Sequence, residues 1–313
     1  MAMRILVMGG TRFVGKPLVA HFLAAGHQIT LFTRGNNPVP SGVEHLVGDR
    51  ANIDDLAALA DRSFDVIVDS SGRSLADTRR VVQRTGPPTC RLVYVSSAGV
   101  YADTPMWPLD EDSPLDPVSR HAGKGETEAW LRAEGIPFTS FRPTYIYGPG
   151  NYNPVENWFF ERIIHNQPVP LPGDGSTITH LGHVSDLATA MARCVEVDTA
   201  TNRIYNCSGT KGVTFLGLVR AAARACGKDP DAVVVRSFDP SGLDTKARKA
   251  FPLRMAHFLV DIHRIQRELA WEPRFDLEAG LADSFANDYS KRISATPDFS
   301  GDEVLLSSLL HGS

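Results

Sequence analysis

The residues whose types and spacing could do chemistry begin at a glycine-rich stretch near the start of the sequence. Residues 5–8 form an apolar run long enough for a buried strand, Gly9, Gly10 and Gly15 follow, and a pattern typical of an amphipathic helix begins near Pro17. A strand, a glycine turn and a helix in this order present helix N–H groups to a pyrophosphate. The stretch therefore predicts a dinucleotide-binding turn.

Two arginines modify this prediction. The usual spacing places glycine at positions 9, 12 and 15, but this sequence has Arg12, where a glycine normally allows the backbone to approach the phosphates closely. Arg34 follows the second predicted strand, where an acidic residue would bind the ribose hydroxyls of NAD. An arginine there suits the 2′-phosphate of NADP, so the sequence favours NADP as the dinucleotide, although Arg12 leaves open whether binding is retained.

The elements that must position these residues alternate between strands and helices through residue 150. Apolar runs predict strands at residues 28–33, 43–47, 65–69, 91–95 and 138–142, and an amphipathic segment predicts a helix at residues 51–59. This order predicts an α/β fold with a Rossmann-type doubly wound parallel sheet. We expect a Rossmann dinucleotide-binding-like domain at residues 1–165 and a smaller C-terminal ligand lobe at residues 166–313, interleaved with the first.

Composition limits the classes of protein to which the chain can belong. Its 313 residues are 42% hydrophobic and 22% charged, as in globular proteins, and no run approaches the roughly 18 apolar residues of a membrane span. A net charge of −4 argues against a generally basic surface, but not against a local basic cleft. Four scattered cysteines predict reduced thiols. Because the first strand begins at residue 4, we expect no targeting peptide, and a cytoplasmic protein or a mature chain of the plastid stroma.

Motifs along the whole sequence resemble those of the extended short-chain dehydrogenases/reductases, the family of NAD-dependent nucleotide-sugar epimerases and dehydratases. Besides the glycine turn, they are Ser-Ser-Ala-Gly-Val-Tyr at 96–101, Arg-Pro-x-x-Ile-Tyr-Gly-Pro at 142–149, His-Val-x-Asp at 183–186 and Leu-Ala-Trp-x-Pro at 269–273. Together these motifs imply the fold and a nicotinamide cofactor.

The sequence also resembles the chloroplast stem-loop-binding proteins and their cyanobacterial relatives. The shared segments include Gly-Gly-Thr-Arg-Phe-Val-Gly at 9–15, Leu-Phe-Thr-Arg-Gly at 31–35, Ser-Arg-His-Ala-Gly-Lys at 119–124 and Tyr-Gly-Pro-Gly-Asn-Tyr-Asn-Pro at 147–154. This second resemblance implies binding of stem-loop RNA and metal-dependent endoribonuclease activity.

In the enzymes that the sequence resembles, a serine, a tyrosine and a lysine four residues after the tyrosine act together, and the tyrosine transfers the proton. Ser97 and Lys124 match the serine and the lysine, but the tyrosine position is Arg120. A guanidinium stays protonated and cannot transfer this proton. The neighbouring His121 could titrate near neutrality, although one residue's offset on a helix turns a side chain by about 100°. Ser97, Arg120, His121 and Lys124 are therefore the catalytic candidates.

The resemblance adds to the cofactor-binding candidates, because Asp49 lies where these enzymes often contact an adenine ring. The candidates are Gly9, Gly10, Thr11, Arg12, Phe13, Val14, Gly15, Arg34, Asp49 and Arg50. With Arg120, Lys124 and Arg142, their arginines would form a positively charged floor at the carboxyl edge of the sheet, suited to phosphates. The alternative is that several of these arginines pair with acids such as Asp49 or Glu126.

Acidic residues and histidines raise the question of a metal. Asp110, Glu111 and Asp112 could supply oxygen ligands to Mg²⁺, or form a solvated acidic loop. His180 and His183 have a spacing that metal ligands also show, but the corresponding segment is structural in the resembling family. We therefore assign no residue as a metal ligand and keep Mg²⁺ as a possible cofactor.

The function predicted first is that of a stem-loop RNA-binding protein on a dehydrogenase scaffold that lacks the catalytic tyrosine, with metal-dependent endoribonuclease activity as a further hypothesis. Tyr147 and Tyr152 would stack RNA bases, and residues 158–160 would stack or form core. The alternative is an NADP-dependent epimerase or reductase acting on a nucleotide sugar with an atypical acid/base. A third possibility is a scaffold that binds the cofactor without turnover. A homo-oligomer is compatible with each.

Overall fold

The computed structural model describes residues 2–307, which alternate between strands and helices through the first half of the chain. In chain order the strands are β1 (Arg4–Met8), β2 (Gln28–Thr33), β3 (Val43–Val47), β4 (Val66–Asp69), β5 (Arg91–Val95), β6 (Phe138–Pro143), β7 (Tyr145–Tyr147), β8 (Val169–Pro172), β9 (Ile178–Thr179), β10 (Leu181–His183), β11 (Arg203–Cys207), β12 (Val213–Thr214) and β13 (Val235–Phe238). The helices are α1 (Gly15–Ala24), α2 (Leu75–Thr85), α3 (Ala122–Ala133), α4 (Val155–Ile164), α5 (Val184–Glu196), α6 (Phe215–Ala225), α7 (His263–Leu269), α8 (Leu277–Asn287) and α9 (Ser300–Leu306).

Seven strands form one parallel sheet in the order β11-β6-β5-β4-β1-β2-β3. The central strands β4 and β5 are buried at every residue, because helices cover both faces of a parallel sheet. The reversal of strand order at β1 places the carboxyl ends of β1 and β4 side by side, which is where ligands bind in open α/β sheets. The predicted Rossmann-type doubly wound sheet is confirmed.

The helix predicted at residues 51–59 is wrong, because only a short 3-10 turn at Asp55–Leu59 forms there. Polar side chains in this segment bond to nearby backbone N–H groups: Asn52 accepts from Asp54, and Asp55 accepts from Asp49. Such local bonds compete with helical ones and favour turns. The apolar side chains of Leu56 and Leu59 are buried nonetheless.

By density of internal contacts the chain divides into two compact units. The first comprises Met1–Thr144, Val184–Ser208 and Val260–Glu272, and the second comprises Tyr145–His183, Gly209–Leu259 and Pro273–Ser313. The segments of the two units therefore alternate along the chain. A domain boundary at residue 165 stays a prediction, since a contact division does not test which part folds alone.

Each unit has its own apolar core. In the first unit, buried side chains of β1, β4, β5 and β6 meet those of α2 and α3 beneath the sheet. In the second unit, α4 and α6 supply aromatic and aliphatic side chains to one cluster that also includes residues of α8 and α9. No helix within residues 2–307 is long and apolar enough to cross a membrane.

Candidate functional site at the carboxyl edge of the sheet

The glycine turn connects β1 to α1 at the centre of the carboxyl edge. Gly9 and Gly10 have φ angles of 111° and 97°, a region that only glycine adopts readily. A Cβ on Gly15 would lie 2.5 Å from the Cα of Gly10, so the start of α1 touches the turn and excludes any side chain there. The Gly9 N–H donates to the Phe32 carbonyl at 3.0 Å, which fixes the turn beside the end of β2.

The four residues between Gly10 and Gly15 differ in exposure. Thr11, Phe13 and Val14 are buried, whereas Arg12 is exposed. The left-handed residue of this segment is Phe13, with φ of 41°, and not Arg12. The backbone at position 12 therefore does not require glycine, and the arginine changes only what lies over the turn.

Arg34 and Asp49 follow the next two strands along the same edge. Arg34 comes directly after β2 and is exposed, and it forms no ion pair within residues 2–307. Asp49, also exposed, follows β3, and its Oδ1 accepts the Ala51 N–H at 2.9 Å. That bond closes a local turn, and Asp49 lies at the carboxyl edge of the sheet, as the sequence predicts.

Arg50 is not part of an open cationic floor, because its guanidinium is neutralised by a buried carboxylate. Its two terminal nitrogens bind the two oxygens of Asp69 at 2.6 and 2.7 Å, and one of them also donates to Ser71 at 2.7 Å. Asp69 ends β4 and is fully buried. Burial opposes ionisation, but the Arg50 charge and bonds from Arg50, Thr78 and Gly72 outweigh it and lower the pKa of Asp69 to about 2.

Arg142 is neutralised in the same way, by Glu128 of α3. The guanidinium lies 2.6 Å from Glu128 Oε2 and also donates to the Tyr101 hydroxyl at 3.1 Å. Both charged side chains are almost fully buried. The alternative in which some arginines pair with acids is therefore correct for Arg50 and Arg142, although the partners are Asp69 and Glu128 rather than Asp49 and Glu126.

Ser97, Arg120 and His121 meet beside the end of β5. A Cβ on Gly99 would lie 3.0 Å from His121 Nε2 and 3.1 Å from Ser97 Oγ, so the two side chains flank this glycine. Arg120 and His121 lie in the turn before α3, which begins at Ala122. A helical offset of 100° therefore does not apply, and the Arg120 Nε donates to His121 Nε2 at 3.0 Å.

Electrostatics keep His121 neutral at physiological pH. Burial lowers its pKa to about 4, and the charges of Arg120 and Lys124 act in the same direction. A neutral imidazole also agrees with Nε2 as the acceptor of the Arg120 bond, because a protonated ring has no acceptor. His121 therefore cannot donate a proton near pH 7 in this geometry, and Arg120 cannot accept one.

Lys124 lies one turn into α3 and reaches back to the carboxyl ends of β4 and β5. Its Nζ donates to the carbonyls of Val95 at 2.6 Å and Gly72 at 3.1 Å, and it lies 5.3 Å from the centre of the Tyr94 ring. Burial lowers the pKa of Lys124 to about 8, partly countered by Asp69 and Glu128. The structure thus brings together all four catalytic candidates at one end of β5.

The side chains of the acidic loop at residues 110–112 have partners within the protein. Glu111 is buried and accepts the Asn206 N–H at 2.8 Å, and Arg264 forms ion pairs with Glu111 and Asp112. Asp110 accepts from the Ser113 hydroxyl at 2.8 Å. In the part of the chain that the structure describes, no three His, Cys, Asp or Glu residues are grouped to hold an ion.

The aromatic residues of the second unit are mostly core. Tyr147, predicted to be exposed, is only 1% exposed, and its hydroxyl lies where a Cβ on Gly280 would be. Phe159 and Phe160 are buried in the core of this unit, and Trp158 packs at its margin. Tyr152 is 62% exposed and is the tyrosine of this pair that a base could reach. The stacking role of Tyr147 is therefore wrong, because its ring fills the space above α8.

Three residues beside this site were missed from the sequence: Asp69, Glu128 and Arg73. Asp69 ends a predicted strand, at the edge where ligand and partner residues gather, and this position was a usable signal. Glu128 lies four residues after Lys124, on the same face of α3. Arg73 has no motif around it, and only the sheet order brings it to the site.

Comparisons with known proteins identify relatives of this chain. Residues 5–208 match the family described as NAD dependent epimerase/dehydratase. The chloroplast stem-loop binding protein of 41 kDa b from Arabidopsis thaliana is 41% identical over 98% of this chain and 85% of that protein.

Solved structures show the same fold at low identity. The UDP-glucose 4-epimerase from Thermotoga maritima, determined with UDP-glucose, has a TM-score of 0.76 at 19% identity and covers 93% of this chain and 100% of its own. The dTDP-glucose 4,6-dehydratase from Bacillus anthracis, determined with NAD, has a TM-score of 0.74 at 21% identity, with coverage of 93% and 97%.

Proposed function

The chain belongs to the NAD dependent epimerase/dehydratase family, and from this premise we propose that it binds stem-loop RNA in place of the family's hydride chemistry. The observation that supports this most is Arg120 in the position of the proton-transferring tyrosine. The relative with 41% identity over nearly the whole chain is named for stem-loop binding, which supports the same function here.

The geometry around Arg120 supports the loss of proton transfer. A guanidinium does not release its proton, and His121 is a neutral acceptor whose Nε2 already receives the Arg120 N–H. Ser97 and Lys124 remain, but these two alone lack the group that gives or takes the substrate proton. The surrounding positive charge suits a phosphate better than it suits a neutral sugar carbonyl.

We extend this proposal to cleavage of the bound RNA in the presence of Mg²⁺. Since the described residues contain no preformed cluster for an ion, Mg²⁺ would be shared between RNA phosphates and one or two carboxylates. A labelled stem-loop incubated with Mg²⁺ should yield fragments, and EDTA should prevent their formation. Intact RNA after prolonged incubation with Mg²⁺ would limit the function to binding.

RNA binding itself is tested by fluorescence anisotropy with a labelled stem-loop at about 0.1 M salt, where phosphate contacts still contribute. We expect saturable binding that weakens as salt rises. A duplex of the same length without a loop and a tRNA serve as comparison ligands. No change in anisotropy at tens of micromolar protein would refute the proposal.

A nicotinamide dinucleotide is a second ligand that a specific observation favours. The contact between Gly10 and Gly15 keeps the turn and the start of α1 in the form that receives a pyrophosphate, and Arg34 suits a 2′-phosphate. We therefore propose NADP(H) rather than NAD(H). NADPH fluorescence should rise on titration with protein, and Arg34→Gln should reduce the preference over NADH. Binding without turnover of any UDP-sugar or dTDP-sugar would indicate a cofactor-binding scaffold, whereas turnover would restore the enzymatic alternative.

A further inference from the structure

Four exposed arginines of the first unit lie along the carboxyl edge of the sheet. Arg34 follows β2, Arg12 follows β1, Arg73 follows β4, and Arg120 lies at the end of β5. We call these four residues the edge arginines. The strands β2, β1, β4 and β5 are neighbours in this order, so the edge arginines follow one another along the edge.

Backbone contacts fix where each of them lies. The bond from Gly9 N–H to Phe32 joins the turn that contains Arg12 to the strand that precedes Arg34. The first turn of α3 packs on the backbone of Arg73, because a Cβ on Gly123 would lie 3.2 Å from the Arg73 carbonyl oxygen. Arg120 precedes the same helix and is held through its bond to His121.

Unlike the buried arginines, Arg34, Arg73 and Arg120 form no ion pair with a carboxylate within residues 2–307. Arg120 uses one of its five N–H donors on a neutral histidine, not on a carboxylate. Asp77, the carboxylate four residues after Arg73, accepts the backbone N–H groups of Arg73 and Ser74 and lies 3.7 Å from Arg80. The potential of the edge also acts on Lys124, whose pKa is lowered by burial and further by Arg73.

We propose that the edge arginines bind consecutive phosphates of an RNA strand, and that a dinucleotide in the glycine turn competes with RNA for this edge. The proposal rests on the RNA binding proposed above. Neighbouring β-strands lie about 4.8 Å apart, so the carboxyl ends of four of them span roughly 14 Å. Several phosphates of one RNA strand cover that length. Arg12 and Arg34 adjoin the turn that would receive the pyrophosphate and the 2′-phosphate. The two ligands would therefore occupy the same part of the edge, and only RNA would use the Arg12 charge.

The first experiment measures the salt dependence of RNA affinity for four single variants, Arg12→Gln, Arg34→Gln, Arg73→Gln and Arg120→Gln. Each lost phosphate contact should make the slope of log K against log salt shallower by about 0.7 to 0.9. Arg132→Gln is the matched control, because Arg132 is exposed at the opposite end of α3. Circular dichroism spectra confirm that each variant is folded.

The second experiment adds NADPH to the RNA complex at a concentration that saturates the nicotinamide fluorescence signal. We expect the apparent Kd for RNA to rise at least about tenfold, in proportion to NADPH. Arg12→Gly, which restores the usual glycine spacing, should weaken RNA binding and strengthen NADPH binding in the same protein. A general loss of fold would weaken the binding of both ligands, whereas opposite effects on RNA and NADPH binding indicate a shared site.

The outcomes separate this proposal from the proposed function. If the wild-type protein binds RNA with a slope that none of the four edge variants changes, the edge is not the RNA surface, while RNA binding itself stands. RNA affinity that is independent of saturating NADPH overturns the competition. If the wild-type protein binds no RNA at all, the proposed function fails first.

Discussion

Replacing Asp69 by asparagine removes the counter-charge of a buried arginine at the carboxyl edge. Asp69 is fully buried and binds the Arg50 guanidinium through both oxygens, while Thr78 donates its hydroxyl to the same carboxylate at 2.7 Å. The Arg50 side chain is 14% exposed. Because Asp69→Asn keeps the volume but not the charge, the arginine would remain desolvated without a partner. We expect loss of stability without a change of fold.

The expected cost follows from two independent considerations. Removing one member of a buried ion pair typically destabilises a protein by about 3–5 kcal/mol. The pKa of Asp69, lowered by its partners from 3.8 to about 2, corresponds to about 2 kcal/mol favouring the ionised, paired form. Because the pKa in the fold lies below the ordinary value, this stabilisation is fully present above about pH 4 and is lost as pH falls towards 2. Asp69→Asn should therefore cost between about 2 and 5 kcal/mol at pH 7.

A double-mutant cycle measures the pair itself. Urea unfolding at pH 7, followed by circular dichroism, gives the free energies for wild type, Asp69→Asn, Arg50→Gln and the double variant. The double variant should be less destabilised than the sum of the two single variants, by about 1–3 kcal/mol. Arg62→Gln is a control, since Arg62 pairs with Glu44 at the surface and should change stability by less than about 1 kcal/mol.

Two results would refute this reasoning. If both single variants lose less than about 1 kcal/mol, water must solvate the pair, and the burial of Asp69 is overstated. If the cycle is additive, Asp69 is stabilised by Thr78 and the backbone N–H groups rather than by Arg50. Acid unfolding provides a separate check, because Arg50→Gln should raise the pKa of Asp69 and move the midpoint of acid unfolding to higher pH.

Three further predictions concern other contacts. Gly15→Ala should destabilise the protein by about 1–3 kcal/mol and abolish NADPH binding, since its Cβ would meet the Gly10 backbone at 2.5 Å; thermal unfolding and fluorescence titration measure both. Arg162→Gln should expose α9 to limited proteolysis, because it leaves the Asp302 carboxylate without its partner at 2.5 Å, at a cost of about 3–5 kcal/mol. The matched exchange of Arg224, whose pair with Glu278 is exposed, should not. Lys124 should react with acetic anhydride with a midpoint near pH 8, below the other lysines, because burial lowers its pKa to about 8; mass spectrometry of peptides gives each profile.

The sheet could be predicted from the sequence because its central strands carry runs of apolar residues, at 5–8 in β1, 66–68 in β4 and 92–95 in β5. Predicted strands at 28–33, 43–47 and 91–95 coincide with β2, β3 and β5. Parallel strands covered on both faces leave this continuous pattern, which does not depend on distant residues. The helix predicted at 51–59 is wrong because side-chain bonds to backbone N–H groups decide the local fold there. The spacing of apolar residues does not reveal such bonds.

The charge state of the site could not be predicted, because it depends on which arginines find carboxylates. Arg34 and Arg50 look alike in sequence, each directly beyond a strand at the same edge. The structure buries Arg50 against Asp69 and leaves Arg34 exposed. Asp69 is 19 residues from Arg50, and in the sheet β1 and β2 lie between β4, which Asp69 ends, and β3, which Arg50 follows. Pairings set by sheet order are not visible in local patterns.

The proposed function explains Arg12 as a substitution that redirects a cofactor turn towards RNA. The residues that need left-handed backbone are Gly9, Gly10 and Phe13, so glycine at position 12 would contribute space and not conformation. We expect an arginine there to keep a pyrophosphate farther from the N–H groups of the turn than a glycine would, which weakens dinucleotide binding without excluding it. The arginine instead offers a full charge on a long, exposed side chain, beside the partial positive charge of the α1 N-terminus. Such a group attracts a phosphate at longer range and tolerates more variation in the position of that phosphate. This suits a polyanion, in which each of many phosphates contributes a small part of the affinity. The proposed change of ligand class therefore needs no change of backbone at this turn.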